Sequence, residues 1–443
     1  MRIDFRKGVL LTLIIGLPLD VLAQDGEIDE LRSALAELRS DYDARIADLE
    51  RRLALAEQNA SETAYVAAQN STSVDSGNAA FNPAIGVIFS GTAWNFAGDP
   101  EAYAVQGFPL GGEAGPISEG FALGETELIM SANVDDKFSA WLTAALAVED
   151  GEAVVEIEEA WVETTALPGG LGAKFGRFYS GIGYLNSKHA HSWDFADQPL
   201  PYQAFLAGQM ADDGIQARWL LPTPMYLEIG AEALRGDAFP SGGATNDGFG
   251  SHSLFVKTGG DIGVSNSWQA GLSYLDATAV DRPSGDEDDP FLFSGDSELT
   301  IAEFVWKYSP NGNWRDRNLV FQAEYLLRKE DGRYEGAGLV TSDYRNEQRG
   351  WYAQLVYQPA PRWRFGGRFD ALSSDSPGVA FDGTQLAAPT NDPSRFSIMA
   401  DWANSEFSRF RFQVTRDDAG FDNDDQWGVQ YIHSIGAHGA HAF

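Results

Sequence analysis

The sequence has no cysteine among its 443 residues. This absence excludes a disulfide framework, a cysteine nucleophile, cysteine-ligated zinc and lipid attachment through cysteine. Histidine is scarce, with six copies, so any histidine cluster is informative. Basic residues number 31 against 65 acidic ones, and the formal net charge is −34. Such acidity argues against nucleic acid as a partner and suits a surface that meets divalent cations.

Beyond the N-terminal stretch, no segment approaches the roughly 20 consecutive apolar residues that a membrane helix needs. The first stretch, MRIDFRKGVLLTLIIGLPLDVLAQ, has a basic start and a short apolar run. Val21 and Ala23 are small residues with the spacing found just before a signal-peptide cleavage site. These features predict a signal peptide over residues 1–23, and a retained membrane anchor is the alternative.

A narrow apolar stripe on a charged background follows the signal peptide. Its members are spaced by three and four residues and include Ile28, Leu31, Leu35, Leu38, Tyr42, Ile46, Leu49 and Leu53. This spacing predicts a short α-helical coiled coil over residues 24–60, because a partner helix buries such a stripe. An amphipathic helix packed on a globular core is the alternative. Residues 61–80 are small, polar and unpatterned, and are predicted to be a linker.

From residue 81 onward, apolar and polar residues alternate with period two. In RWRFGGRFDA, for example, Trp363, Phe365 and Phe369 alternate with Arg364 and Arg368. A soluble β-sandwich and a transmembrane β-barrel both show this alternation, so the lengths of the connections decide between the two folds. Short turns alternate with long loops near 95–121, 181–211, 236–249, 279–297, 331–346 and 373–393. This pattern predicts an all-β transmembrane barrel of about 16 antiparallel strands over residues 81–443, with short turns in the periplasm.

The signal, the helix, the barrel and the aromatic C-terminus Phe443 together resemble Gram-negative outer-membrane porins that carry a periplasmic coiled coil, such as sugar-specific and phosphate-selective porins. The resemblance implies a channel in the cell outer membrane for small hydrophilic solutes such as anions or sugars. It also implies a homotrimer in contact with lipid and lipopolysaccharide, and peptidoglycan contact through the coiled coil. The closing GAHGAHAF breaks the alternation, so we expect the last strand to end near Gly436.

Two stretches, AWVETTALPGGLGAKFGRFYSGIGYLN and GAHGAHAF, are also similar to proteins labelled zinc-regulated or TonB-dependent outer-membrane receptors. Active TonB-coupled transport needs a plug domain and about 22 strands. The 363 residues from 81 to 443 suffice for about 16 strands at ordinary spacing. A zinc-linked uptake protein and a structural tether between outer membrane and cell wall therefore remain as alternative functions.

The period-two alternation assigns charged residues to the lumen, because charge on a lipid-facing side is costly. The predicted basic lining consists of Arg362, Arg364, Arg368, Arg395, Arg409 and Arg411. The predicted acidic lining consists of Asp194, Asp197, Glu125, Glu127, Glu156 and Glu158, with Glu228 and Glu232 on the same wall. Opposed charges of this kind set channel selectivity, although pairing across strands is the alternative role.

The stretch NSKHAHSWDF, residues 186–195, is predicted to lie in the third outer loop, after the fifth strand. Flanking glycines, Gly181 and Gly183, and prolines, Pro199 and Pro201, favour a loop that folds into the lumen and forms a constriction. His189 and His191, with Asp194 as third ligand, could instead hold zinc. His433, His438 and His441 are expected at the opposite end of the barrel. We favour the constriction loop and assign neither a metal site nor a cofactor.

An enzymatic function is not expected. The GDSEL motif at Gly295 is similar to the start of a serine-esterase motif, but no helix and no histidine follow it closely. The sequence therefore assigns no catalytic residue.

The coiled-coil prediction is testable through the oligomeric state. Deleting residues 25–60 removes the apolar stripe, so the trimer should dissociate more readily while contacts between barrels persist. Mass measurement in mild detergent checks this, and a monomer formed by the intact chain would contradict the prediction.

Overall fold

The computed structural model describes residues 83–436, except residues 113, 150–151, 244–247, 287 and 421–423. The predicted signal peptide, coiled coil and linker lie outside the described residues, as do His438, His441 and Phe443. The chain divides into two units, residues 1–80 and 81–443, and the fold below is that of the second. Across the described ranges, no helix is long and apolar enough to cross a membrane.

Sixteen antiparallel strands form one closed sheet, as predicted. The second strand is broken at Gly124 and Glu125 into two segments. In chain order the strands are Ala84–Asn95, Gly120–Leu123 with Thr126–Asn133, Phe138–Glu149, Glu152–Thr164, Leu171–Tyr179, Ala211–Leu220, Tyr226–Leu234, Ser251–Ile262, Asn266–Ser284, Phe291–Tyr308, Asn318–Gly336, Leu339–Ala360, Trp363–Ser374, Ser394–Ser405, Ser408–Asp417 and Asp424–Gly436. A short fragment, Gly242–Gly243, pairs in parallel with Ala279 and Val280.

The first strand closes the barrel because it pairs with the second strand on one edge and with the last strand on the other. Ile88 lies opposite Glu127, and Gly86 lies opposite Gly436. The last strand is described as far as Gly436, where the described residues also stop, so its predicted end near that residue stays a prediction. Closure removes every free sheet edge, the condition for a β-structure to span a membrane.

The outer face of the barrel is apolar and aromatic, the reverse of a soluble protein. In the strand Trp363–Ser374, Phe365 and Phe369 are exposed while Arg368 is buried inside. The strand Ser408–Asp417 repeats the pattern, with Phe412 exposed and Arg411 buried. Apolar side chains facing outward and polar ones facing inward define a transmembrane β-barrel of the bacterial outer-membrane type.

Two of the predicted outer loops are wrong. Residues 279–297 and 331–346 lie mostly in strands, and the hairpins turn at residues 285–290 and 337–338. The strands involved have 18 to 22 residues, against the 9–11 that cross a bilayer. They therefore extend beyond the membrane. There the outward face carries charged residues such as Asp331 and Arg345, and the buried face carries aromatic residues such as Phe293 and Tyr334, so the apolar-outward pattern of a spanning strand is reversed.

The long connection after the fifth strand folds back inside the barrel, and Val105 and Phe108 of the first loop pack against it. Residues 180–210, called the plug segment here, follow the fifth strand and contain the helix Leu200–Leu206, in which every residue is buried. Pro199 stands at the N-cap position without a side-chain capping bond, and Pro201 lies in the first turn, where a missing N–H costs nothing. The inward course of this loop agrees with the sequence prediction.

The topology predicts which connections face the cell exterior. Because the chain contains no cysteine, single cysteines introduced at Asp382 and Glu406 can be labelled without background. Asp382 is exposed in a long loop, and Glu406 is exposed in a short turn at the opposite rim. A membrane-impermeant maleimide should label Asp382→Cys on intact cells and Glu406→Cys only after permeabilisation. The reverse pattern would contradict the topology.

Candidate functional site

The plug segment crosses the lumen between two walls of opposite charge. Gly183, near its start, has a φ of +65°, and a Cβ there would lie 2.6 Å from the Tyr202 hydroxyl. Gly350 on the opposite wall leaves room for the plug helix, since a Cβ would approach Pro201 to 2.9 Å and Phe205 to 3.0 Å. Glycine at these two positions lets the segment turn inward and pack closely.

Asp197 anchors the plug segment to the basic wall. Arg368 Nη2 and Arg395 Nη1 donate to Asp197 Oδ2 at 2.8 and 2.9 Å. Gln413 Nε2 donates to Asp197 Oδ1 at 2.7 Å. Burial alone would raise the pKa of the Asp197 carboxyl, but Arg368 and Arg395 hold it below its ordinary value. The carboxylate therefore stays charged at neutral pH and ties three strands to the segment.

A second anchor lies at Trp193 and Asp194. Arg409 Nη2 and Arg411 Nη2 donate to the Trp193 carbonyl at 3.0 and 2.6 Å. Arg364 pairs with the Asp194 carboxylate. The predicted basic lining thus holds the plug segment, and its side chains differ in exposure: those of Arg364 and Arg409 are 25% and 18% exposed, against 1% for Arg411.

A third anchor was not predicted from the sequence. Glu324 Oε1 accepts the Tyr184 backbone N–H at 2.5 Å, and Glu324 Oε2 accepts the Tyr202 hydroxyl at 2.9 Å. Arg328 Nη1 donates to the Ala204 carbonyl at 3.1 Å, and its guanidinium lies 4.8 Å from the Phe205 ring centroid. Both residues alternate with lipid-facing residues in the strand Asn318–Gly336, which is the one signal that could have identified them.

The histidines face the acidic wall. His191 Nδ1 lies 2.5 Å from Glu127 Oε1, and His189 Nε2 lies 2.9 Å from Glu159 Oε2. The two imidazole rings are stacked with centroids 5.6 Å apart. Asp194, suggested from sequence as their partner, pairs with Arg364 instead. The carboxylates beside the two imidazoles are therefore those of the wall, and the prediction that Asp194 lies there is wrong.

A β-bulge explains how two consecutive glutamates reach this cluster. Thr143 pairs with Glu159 and Ala144 pairs with Ile157, so Glu158 is the extra residue. In a regular strand Glu158 and Glu159 would point to opposite faces, but the bulge turns both inward and both are buried. A strict period-two reading could not locate this irregularity.

The remaining predicted lining residues are scattered. Arg362 lies in the tight turn between two strands, where its φ is 76° and its side chain is exposed. It is therefore at the rim of the barrel and is not one of the arginines that hold the plug segment. Glu125 is half-buried beside the acidic cluster, and Glu156 is exposed. Glu232 accepts the Gly181 N–H at 2.8 Å, whereas Glu228 lies 3.8 Å from Arg218.

The Asp197 anchor can be tested by loosening the plug. Asp197→Ala leaves two buried arginines with less compensation, which should cost about 3 kcal/mol of docking free energy. If the plug opens before cleavage, trypsin should then cut after Lys188 roughly 100-fold faster. Mass spectrometry of the fragments measures the rate. Asp382→Ala, in an exposed loop, is the matched control, and equal rates in both variants would contradict the anchoring role.

No known protein-family profile matches the chain. The barrel is similar to the channel DcaP of Acinetobacter baumannii (14% identity, TM-score 0.47, 80% of this chain and 96% of that one). It is also similar to Pseudomonas putida OprB (12% identity, TM-score 0.48, 80% and 94%). An uncharacterized protein of Aquifex aeolicus is 33% identical over 355 residues, which cover 75% of this chain and 72% of that protein. The chain belongs to the same family as this Aquifex aeolicus protein.

Proposed function

We propose that the protein is an outer-membrane channel for small hydrophilic solutes, narrowed by the plug segment. The observation that carries the proposal is the inward course of residues 180–210, anchored through Asp197 to the basic wall. A closed barrel of 16 strands is wide enough to leave an aqueous lumen unless a segment fills it. The plug segment supplies such a filling and so determines the width of the passage.

Solvent reaches the inner wall between the short turns and the plug. Arg218, whose side chain is 33% exposed, faces inward beside Glu163 and Glu228. Further along the wall, Arg364 and Arg409 remain partly exposed where they meet the plug. These accessible side chains outline a vestibule that leads from the turn rim to the constriction.

We further propose that the constriction favours anions over neutral sugars. Asp401 lies 3.5 Å from Arg364, 3.7 Å from Arg409 and 2.9 Å from Arg411, so three guanidinium groups share this wall carboxylate. The Asp401 side chain is 3% exposed, whereas those of Arg364 and Arg409 are more accessible. The charge that a passing solute meets there is therefore basic, and fixed charges in a narrow passage set ion preference through their field.

Trimerisation and a coiled coil that contacts peptidoglycan belong to this proposal as well. The stripe from Ile28 to Leu53 supports both, since it needs partner helices. They would place three channels in one assembly without changing the route through each barrel.

Reversal potentials in a planar lipid bilayer test the selectivity. Replacing Arg364 and Arg409 together with Gln should shift the preference toward cations, because the accessible positive charge at the plug is lost. Asp194→Asn should shift it toward anions, since the positive charge of Arg364 is then less neutralised.

The control for the arginine pair is Arg345→Gln with Arg349→Gln. These side chains are 81% and 36% exposed on a long hairpin outside the lumen, and their loss changes the net charge equally. A control variant that shifts the potential as much as the lumen variant would contradict local selectivity. A wild-type protein without measurable conductance, in a bilayer where Asp197→Ala conducts, would show that the plug closes the barrel.

A further inference from the structure

Three ligand atoms converge where the plug segment meets the acidic wall. One ligand atom each from Glu127, Glu158 and His189 lies within 4.8 Å of the other two. His189 Nδ1 lies 3.5 Å from the Glu127 oxygen and 3.6 Å from the Glu158 oxygen. Ligands of a tetrahedral zinc ion, each about 2.1 Å from the metal, are separated by about 3.4 Å. The imidazole nitrogen and both oxygens are therefore spaced to share one small cation.

Two of these atoms lack a hydrogen bond although they are buried. Glu158 Oε2 and His189 Nδ1 make none by distance and angle, in residues that are 8% and 9% exposed, and the Glu125 carboxyl is the further group that lies against Glu158. Buried polar atoms in folded proteins nearly always have a partner, so each such atom needs an explanation. Both point to the same spot, which is what a shared ligand requires.

The other polar atom of each converging side chain is held by a neighbour. Tyr179 donates its hydroxyl hydrogen to Glu158 Oε1 at 2.9 Å. His191 Nδ1 contacts Glu127 Oε1 at 2.5 Å, and His189 Nε2 contacts Glu159 Oε2 at 2.9 Å. A carboxylate on Nε2 fixes the tautomer that leaves the Nδ1 lone pair available, the usual outer arrangement around a metal-bound histidine.

We propose that Glu127, Glu158 and His189 bind a divalent transition-metal ion, with zinc as the first candidate. The ligand set of one imidazole and two carboxylates selects against magnesium and calcium, which prefer oxygen ligands alone. A dication would also offset the charge of adjacent buried carboxylates, which is costly to leave uncompensated. Because His189 belongs to the plug segment and the glutamates to the wall, the ion ties one end of the plug to the barrel.

The competing explanation is a proton. A charged His189 would offer an N–H to the same carboxylate oxygens, and a protonated Glu125 would donate its hydroxyl hydrogen to Glu158, so the cluster would hold without metal. The site does not depend on the proposed channel function, so metal content can be measured independently of conductance.

The experiment equilibrates full-length, chelator-treated protein with zinc, removes unbound metal and measures zinc by elemental analysis. Wild type should retain one equivalent per chain. Glu158→Gln and His189→Gln should each bind at least tenfold more weakly. His252→Ala and the double variant His438→Ala, His441→Ala are the controls and should retain the full equivalent, since His252 is exposed in a distant strand.

A second measurement guards against misfolding of the variants. A shift in electrophoretic mobility on heating shows that the barrel of each variant is folded. In folded protein, zinc should slow tryptic cleavage after Lys188 in wild type but not in Glu158→Gln. Absence of stoichiometric zinc in wild type would overturn the proposal in favour of the proton. Retention of zinc by both ligand variants would overturn the assignment of the ligands.

Discussion

Charge complementarity between the plug segment and the barrel interior is the constraint on which the rest of the structure depends. The segment carries imidazoles toward one wall and carboxylates toward the other, and the walls carry glutamates and arginines in the matching places. Leaving such charges buried without partners costs several kcal/mol per ion. A plug turned end for end would place carboxylate against carboxylate and guanidinium against imidazole, so the walls impose a single orientation on the segment.

The barrel itself follows from the alternation of residues. Aromatic residues such as Phe365 and Phe412 face lipid, and the arginines between them face the lumen, as the period-two pattern indicates. The same pattern failed for the long hairpins. Beyond the membrane, residues such as Asp331 and Arg345 pair across strands on the exposed surface, and a polar stretch of this kind resembles a loop in sequence although it is sheet.

The plug was predictable in part. Its position after the fifth strand and its inward course agree with the glycines, the prolines and the length of the connection. The partners of its histidines were not predictable, because Glu127 lies 64 residues from His191 and the contact depends on the register of a closed barrel. The bulge at Glu158 adds a second obstacle, since one extra residue in a strand leaves no clear mark in the pattern of side chains.

The sequence separation of the plug contacts has a consequence for folding. Trp193 accepts hydrogen bonds from Arg409 and Arg411, 216 and 218 residues later in the chain, and Asp197 accepts one from Arg395 at a separation of 198. Contacts between such distant residues carry a large loop-closure cost and form late. Much of the C-terminal sheet must therefore be in place before the segment gains its main anchors. Until then its carboxylates and imidazoles remain hydrated, so maturation of the lumen is a step that follows assembly of the wall.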